Sequence, residues 1–476
     1  MSSGFVATVI VSALGAISVR AITTRLGAGA FGIFVLVGSY ASLVQTFTDL
    51  GLAQVLQRDI ARGDQDERSL LSHAMGLRLA LSLVAVPVAA GVGLLVYADQ
   101  SFTMKIGLVL MLCAIPFGVS QEVTSAHFAA QLRTTITAVA SVLQQVVFVG
   151  LVVLAVSLHK SVAYCLGAVL IGTVISSIFT NVLARREVAF SPSFDRGAWT
   201  SMLRTSTPIG VAYVVGLLYF RADTLILSFM STTRQIGFYG AAYSIVMVFL
   251  ALLGVLTRTF LPSMVKATKE TLDASLDSAL VYLSIGGTFS AAAIAICGPT
   301  VIRIVVGSHF GPSNTPLRIL GFGLIFIFIA TGLSSLCVAR GFGSKIFVMS
   351  VVSLVLNVAL NLAAIPKFGI TGAAVATLIC EVISLALFVR LARKVTGVRA
   401  RVIRALVRPS AAGLVTCGAL APIYLQSDLK VAYGLILIPA TCILYFTVLA
   451  LLKGIPHDLV AAIEKSTLAK RLRHQR

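Results

Sequence analysis

Charge is scarce in this chain of 476 residues: charged side chains make up 11%, against roughly 25% in a soluble domain. Long polar stretches are missing too. The longest, around Arg58 to Ser69 and Arg185 to Met202, reach about 20 residues, too few to fold as a soluble domain. That excludes an enzyme with an extramembrane catalytic domain. Paired cysteines are absent: none of the seven forms a C-x-x-C pair, and all lie in or beside apolar stretches. They read as small hydrophobes, not as disulfides or metal ligands. The six histidines are scattered, with none at ligand spacing from another, so neither a metal nor a cofactor is expected. Nothing basic precedes the first apolar stretch, so no cleavable signal is expected. The same absence leads us to expect a natural start slightly upstream.

What the chain has is apolar residues, 58% of the total, with a mean hydropathy of +0.99. They fall into stretches of about 20 residues, the length a helix needs to cross a hydrocarbon core of about 30 Å. A backbone in lipid must satisfy its own hydrogen bonds, so each stretch reads as a spanning helix. Fourteen spans are expected, near 5–22, 31–50, 70–97, 105–125, 135–158, 162–183, 203–222, 236–262, 276–296, 315–339, 345–365, 369–389, 404–425 and 430–452. The predicted fold class is an all-α polytopic membrane protein.

The net charge of +20 invites a nucleic-acid reading, but its distribution argues against one. With the N-terminus placed in the cytoplasm, cytoplasmic loops and tail hold 24 Lys and Arg, the opposite loops hold 8, and 5 lie within spans. This is the positive-inside bias, and it predicts that both termini are cytoplasmic. The densest basic run, Arg390, Arg393, Lys394, Arg399, Arg401, Arg404 and Arg408, contains no acid. It reads as an orientation signal that also meets anionic lipid heads.

A weak internal repeat has a period near 205–208 residues. Phe31-Gly32-Ile33-Phe34 with Ser39-Tyr40 corresponds to Ile236-Gly237-Phe238-Tyr239 with Tyr243-Ser244. Leu183-Ala184-Arg185-Arg186 after Lys160 corresponds to Leu391-Ala392-Arg393-Lys394 after Lys367. Two blocks of six spans with the same starting orientation are a transporter design, with the substrate path between halves. The expected organisation is an N-terminal lobe at 1–200, a C-terminal lobe at 201–400, and two further spans with a basic tail at 401–476.

Arg25-Leu26-Gly27-Ala28-Gly29-Ala30-Phe31-Gly32-Ile33-Phe34 resembles the R-x-L-G-x-x-x-[FY]-G-x-[FY] entry segment of polysaccharide (O-antigen) flippases. These belong to the multidrug/oligosaccharidyl-lipid/polysaccharide exporter superfamily. Thr48-Asp49-Leu50-Gly51-Leu52 resembles the end of their second helix. Asn357 to Asn361, Ile365-Pro366-Lys367-Phe368-Gly369-Ile370-Thr371-Gly372-Ala373-Ala374 and Ala376-Thr377 resemble their N-x-x-x-N…I-P-x-[FY]-G-[IV]-x-G-A-A-x-A-T signature. The resemblance implies two six-helix lobes around a central cavity with alternating access. It also implies flipping of oligosaccharides linked to undecaprenyl pyrophosphate across the bacterial inner membrane.

A charge at the centre of a span costs roughly 2.5–3.5 kcal/mol on insertion scales, so each needs an explanation. Asp49, Arg78, Glu122, Arg204 and Arg258 lie near the expected cytoplasmic ends of their spans. Arg20, Arg25, Arg221 and Asp223 lie near the opposite ends, and Glu381 lies closest to mid-membrane. Arginine suits a pyrophosphate, because its planar fork donates several hydrogen bonds and keeps its charge. Arg78, Arg258, Arg204, Arg20 and Arg221 are therefore candidates for substrate binding, beside the plainer reading of snorkelling or structural pairing. Arg25, Asp49, Glu122, Asp223 and Glu381 are candidates for gating or coupling. Asp49 and Glu122 are expected partners of Arg78, and Arg20 or Arg25 is expected to meet Asp223 at the outer end. Asn357 and Asn361, one turn apart, read as hydrogen-bonding glue or a sugar contact. Phe220, Phe238, Tyr239 and Tyr243 read as sugar-stacking or interfacial anchors.

Taken together these point to a flippase for lipid-linked oligosaccharide, serving O-antigen, capsule or exopolysaccharide synthesis, with no covalent chemistry. The implied partners are the undecaprenyl-pyrophosphate carrier, a polysaccharide polymerase and chain-length or export proteins, and no nucleic acid. The alternatives are a cation-coupled exporter of small organic cations, whose cavity should be dominated by acids, a lipid II flippase, or a non-transporting membrane scaffold or assembly partner.

Overall fold

The computed structural model describes residues 2–266, 269–396, 402–424 and 431–454. Among them every long element is a helix. The order is α1 (Ser2–Asp49), α2 (Leu52–Arg62), α3 (Glu67–Val96), α4 (Phe102–Cys113), α5 (Ile115–Ala130), α6 (Thr134–Ser157), α7 (Val162–Glu187) and α8 (Arg196–Met230). Then come α9 (Thr233–Lys266), α10 (Lys269–Val305), α11 (Asn314–Ala339), α12 (Gly343–Thr396), α13 (Val402–Tyr424) and α14 (Val431–Leu451). Side-chain oxygens start several of them where the polar breaks fall. Asp66 accepts from Ser69 N at 3.0 Å before α3, and Asp195 accepts from Gly197 N at 2.8 Å before α8. Pro116 sits in the first turn of α5, where its missing N–H is harmless, and separates that helix from α4.

Among the described residues twelve helical runs are long and apolar enough to cross a membrane, with α4 and α5 counting as one. The two longest, Val6–Asp49 and Gly343–Lys394, have 44 and 52 residues. A straight helix of 44 residues would be about 66 Å long, twice the hydrocarbon core. Each is broken once, at Gly27 (φ 82°, ψ 179°) and Gly369 (φ 56°, ψ −134°). Glycine enters these regions without the Cβ clash that would bar other residues. The breaks leave segments 6–26, 28–49, 343–368 and 370–394, each of spanning length, so the fourteen expected spans are all found. Boundaries differ at several spans, the ninth, expected at 276–296, lying within α10 (Lys269–Val305), and one difference bears on a candidate residue. The seventh span, expected to end at 222, continues as α8 to Met230, because Leu225-Ile226-Leu227-Ser228-Phe229-Met230 extends the apolar pattern. Asp223 is therefore inside a helix.

The chain divides into two compact units, Met1–Gly240 with Val305–Gly307, and Ala241–Ile304 with Ser308–Arg476. In the first, Leu56, Leu71, Met75, Val123, Phe128 and Ala184 join α2, α3, α5 and α7 in one core. In the second, Leu280, Leu333, Leu336, Ala392 and Val402 join α10 to α13. There α14 also packs on α10, with the Tyr445 hydroxyl 2.6 Å from that of Thr288. Large apolar side chains such as Leu83, Val84 and Leu95 point outward, 67%, 67% and 78% exposed, as a lipid-facing wall requires.

Two local features recur below. Many hydroxyls are satisfied within their own helix: Thr23, Ser39, Thr46, Thr173, Thr288 and Thr441 each donate to the carbonyl four residues earlier. And within the first unit, the second half of α1 crosses the start of α9 backbone to backbone. A Cβ on Gly32 would lie 1.7 Å from the Thr233 carbonyl oxygen, and one on Gly237 would lie 2.0 Å from that of Ala28. These are the equivalent glycines of the internal repeat.

Candidate functional site

Three helices of the first unit bring charges together. α1 supplies Gln45 and, one turn on, Asp49; α3 supplies Arg78; α5 supplies Glu122. Arg78 Nη2 donates to Asp49 Oδ1 at 3.1 Å and to Glu122 Oε2, while Gln45 Nε2 donates to Glu122 Oε1 at 2.7 Å. This is the pairing expected from the sequence. The burial is uneven. The Arg78 side chain is fully enclosed, while those of Asp49 and Glu122 are 16% and 37% exposed. Arg78 Nε and Nη1 are buried with no hydrogen-bond partner. Taking an ion out of water costs several kcal/mol, so the two carboxylates are what hold the guanidinium there.

The exposed sides of the carboxylates face a cavity of about 530 Å³. Gln45, Gln54, Gln57, Ser125, Thr137 and Tyr213 contribute to its walls. Two carboxylates against one guanidinium leave the cluster net negative. Such a cavity can hydrogen-bond a polyol and hold a cation, and it repels a phosphate. Arg78 was expected to contact pyrophosphate, but here it lies behind the carboxylates and reaches no ligand space.

The remaining candidates are dispersed. Arg20, Arg25 and Arg204 are exposed. Arg221 is half-buried and lies 3.4 Å from the Ser39 hydroxyl, which its Nη1 donates to. The side chain of Arg258 lies outside the described residues. Glu381 is buried, 5% exposed, in the second unit. Asp223 was expected at an exposed outer end facing Arg20 or Arg25. Instead it is 3% exposed, accepts from the Tyr239 hydroxyl and from Thr224 N at 2.7 Å, and ties α8 to α9. The longer α8 explains the change. Tyr239 and Phe238 are buried in packing, with the Arg234 guanidinium 5.6 Å over the Phe238 ring, so neither offers a face to a sugar. Asn357 and Asn361 are buried, and Asn361 Nδ2 donates to the Asn357 carbonyl at 2.9 Å and side-chain oxygen at 3.1 Å.

Sequence reasoning missed Gln54, Gln57 and Tyr213 in the cavity wall. It also missed a buried knot at the end of α5. His127, fully enclosed, lies 2.5 Å from Glu67 on α3 and 3.4 Å from Glu187 on α7, and Arg133 meets Glu187 at 2.6 Å. The i, i+4 spacing of Gln45 and Asp49 was a usable signal. His127 gave none, since each carboxylate lies 60 residues away.

Comparison with known proteins agrees with this architecture. The model of a family described as polysaccharide biosynthesis protein matches residues 1–268. The probable low-salt glycan biosynthesis flippase Agl15 of Haloferax volcanii is 23% identical over 388 residues, covering 78% of each chain. Among solved structures, the lipid II flippase MurJ in an inward closed conformation superposes with a TM-score of 0.82 at 15% identity, covering 97% of this chain and all of that one. An inward-facing multidrug resistance MATE family transporter of the MOP superfamily gives 0.66 at 16% identity, covering 83% and 98%. At such identities the two structures speak for the fold.

Proposed function

Since the chain belongs to the polysaccharide biosynthesis protein family, we propose that it is a flippase for lipid-linked glycan. The cargo is an oligosaccharide on undecaprenyl pyrophosphate, moved from the cytoplasmic to the periplasmic leaflet of a bacterial inner membrane. The product serves O-antigen, capsule or exopolysaccharide synthesis, with a polymerase and chain-length or export proteins downstream. Both termini are cytoplasmic in this reading, and lobes 1–200 and 201–400 alternate in access. The similarity to Agl15, a probable flippase of glycan biosynthesis, supports it.

The observation that carries the reading is the polar cavity inside an apolar helical unit. Amide and hydroxyl groups from Gln54, Gln57, Ser125, Thr137 and Tyr213 suit sugar hydroxyls. In this reading Arg20, Arg204, Arg221 and Arg258 are, each taken singly, candidates for contact with the carrier's pyrophosphate. Arg78 acts as a positioning residue that holds Asp49 and Glu122 toward the cavity, where they take a coupling cation or proton. Glu381 and Arg25 remain coupling and gating candidates.

Reconstitution tests this. Vesicles carrying the protein should expose lipid-linked oligosaccharide to an external glycosidase faster than empty vesicles, and Gln54→Leu with Gln57→Leu should slow the exposure. Equal rates with and without protein would refute the reading. A second reading is favoured by the net negative cluster: a cation-coupled exporter of small organic cations. Proton-driven uptake of an organic cation dye, without glycan exposure, would select it.

A further inference from the structure

The second unit carries a groove unrelated to the acidic cavity. It has a volume of about 1540 Å³ and lies among α10, α11, the end of α12, the start of α13 and the chain after α14. Its floor is apolar: Val281, Phe326, Val382, Leu385, Val389 and Ile403. Ile403 and Val382 are 79% and 43% exposed, so the floor is open. Its rim is basic. The last turns of α12 contribute Arg390, Arg393 and Lys394, and the first turns of α13 contribute Arg404 and Arg408. Among the described residues one acid, Asp277, shares the lining. Arg408 Nη1 donates to the Lys453 carbonyl at 2.7 Å, which fixes that side of the rim.

Five cations against one carboxylate, beside a wide apolar floor, describe an amphiphile of opposite charge. We propose that this groove is a resident site for an anionic glycerophospholipid of the diphosphatidylglycerol class. The acyl chains lie on the floor, and each phosphate meets one of the two basic clusters. The two clusters sit on different helices, which matches a head with two phosphates better than a head with one. In such a head a glycerol bridge holds the two phosphates apart, as the two clusters are held on separate helices, whereas the phosphates of a pyrophosphate share one oxygen. Basic pockets between spanning helices are a recurring way of holding such heads. The proposal is independent of the flippase reading, since it needs neither a transported glycan nor the acidic cavity.

Native mass spectrometry on the full purified chain tests it. The probes are diphosphatidylglycerol, phosphatidylglycerol, phosphatidylethanolamine and undecaprenyl pyrophosphate, offered together in mild detergent. Diphosphatidylglycerol should be retained first, and undecaprenyl pyrophosphate should not displace it. Arg390→Gln, Arg393→Gln and Arg404→Gln combined should lower its affinity on the order of a hundredfold, given about a tenfold effect or less per cation. The matching Arg→Lys triple should retain it. Arg185→Gln, Arg186→Gln and Arg196→Gln in the first unit, a loss of equal charge, should leave it unchanged. Equal losses in the two glutamine triples would overturn the proposal, as would displacement by undecaprenyl pyrophosphate or no preference over phosphatidylethanolamine. The wild-type protein gives a reading that needs no variant: retention should fall steeply with salt, and salt-independent retention would equally overturn it.

Discussion

Gly32→Ala is the sharpest single perturbation the fold offers. The added Cβ would lie 1.7 Å from the Thr233 carbonyl oxygen, 2.7 Å from its carbon and 2.9 Å from Gly237 N. Ordinary contacts begin near 3.4 Å, and the obstacle is backbone, so no side chain can swing away. The two helices must part by about 1.5 Å, and overpacking of this kind costs about 1–3 kcal/mol. Gly38→Ala is the control on the same helix: nothing lies within 4 Å of its Cβ. Alanine there should be neutral or add about 0.5–1 kcal/mol through helix propensity. Gly237→Ala meets the Ala28 carbonyl at 2.0 Å and should reproduce Gly32→Ala. The double variant should cost less than the sum, because helices already parted for one methyl have room for the other. The assay is thermal unfolding of the purified protein in detergent, with glycan exposure in vesicles as the functional readout. Additive losses, or a Gly32→Ala protein as stable as Gly38→Ala, would refute the account of this crossing.

Arg78→Ala leaves two partly exposed carboxylates without their guanidinium, so it should cost less than the ~3–5 kcal/mol of a fully buried pair and should lower transport; transport at the wild-type rate would refute the positioning role. Tyr239→Phe removes a hydroxyl from the buried Asp223 carboxylate and should cost about 1–3 kcal/mol in thermal unfolding; an unchanged midpoint would show that this tie between α8 and α9 adds nothing to stability. The basic bias of 24 against 8 predicts a cytoplasmic C-terminus; a C-terminal reporter active only in the periplasm would reverse the assigned orientation.

The helices were legible because lipid demands long apolar runs and the chain supplies them. The breaks at Gly27 and Gly369 fell inside the two glycine-bearing segments that already resembled a family. Arg78 could be paired with Asp49 and Glu122 because a buried charge needs partners and these lay at similar depth. Depth, however, says nothing of which way a side chain faces. The sequence therefore suggests an arginine-lined phosphate site, while the structure turns the carboxylates outward and the guanidinium inward. Asp223 looks terminal in the sequence because a charge pair, Arg221 and Asp223, is an ordinary place for a span to stop. The meeting of Gly32 with Gly237 was out of reach: the repeat showed equivalence, and equivalence does not imply contact.

The hydroxyls that bond back into their own helices have a mechanical consequence. When a helix slides or tilts, Thr23, Thr46, Ser290 and Thr416 carry their hydrogen bonds with them. Nothing in those bonds has to break in a medium that offers no water to replace them. The ties that do run between helices are fewer and local, such as Tyr40 to the Ala89 carbonyl, Ser176 to that of Ala140 and Asn181 to Ser120. Polar groups of the first kind add hydrophilicity without adding friction. The barrier to rearrangement is then set mainly by van der Waals fit, which a transporter can cross repeatedly without dissolving its own scaffold.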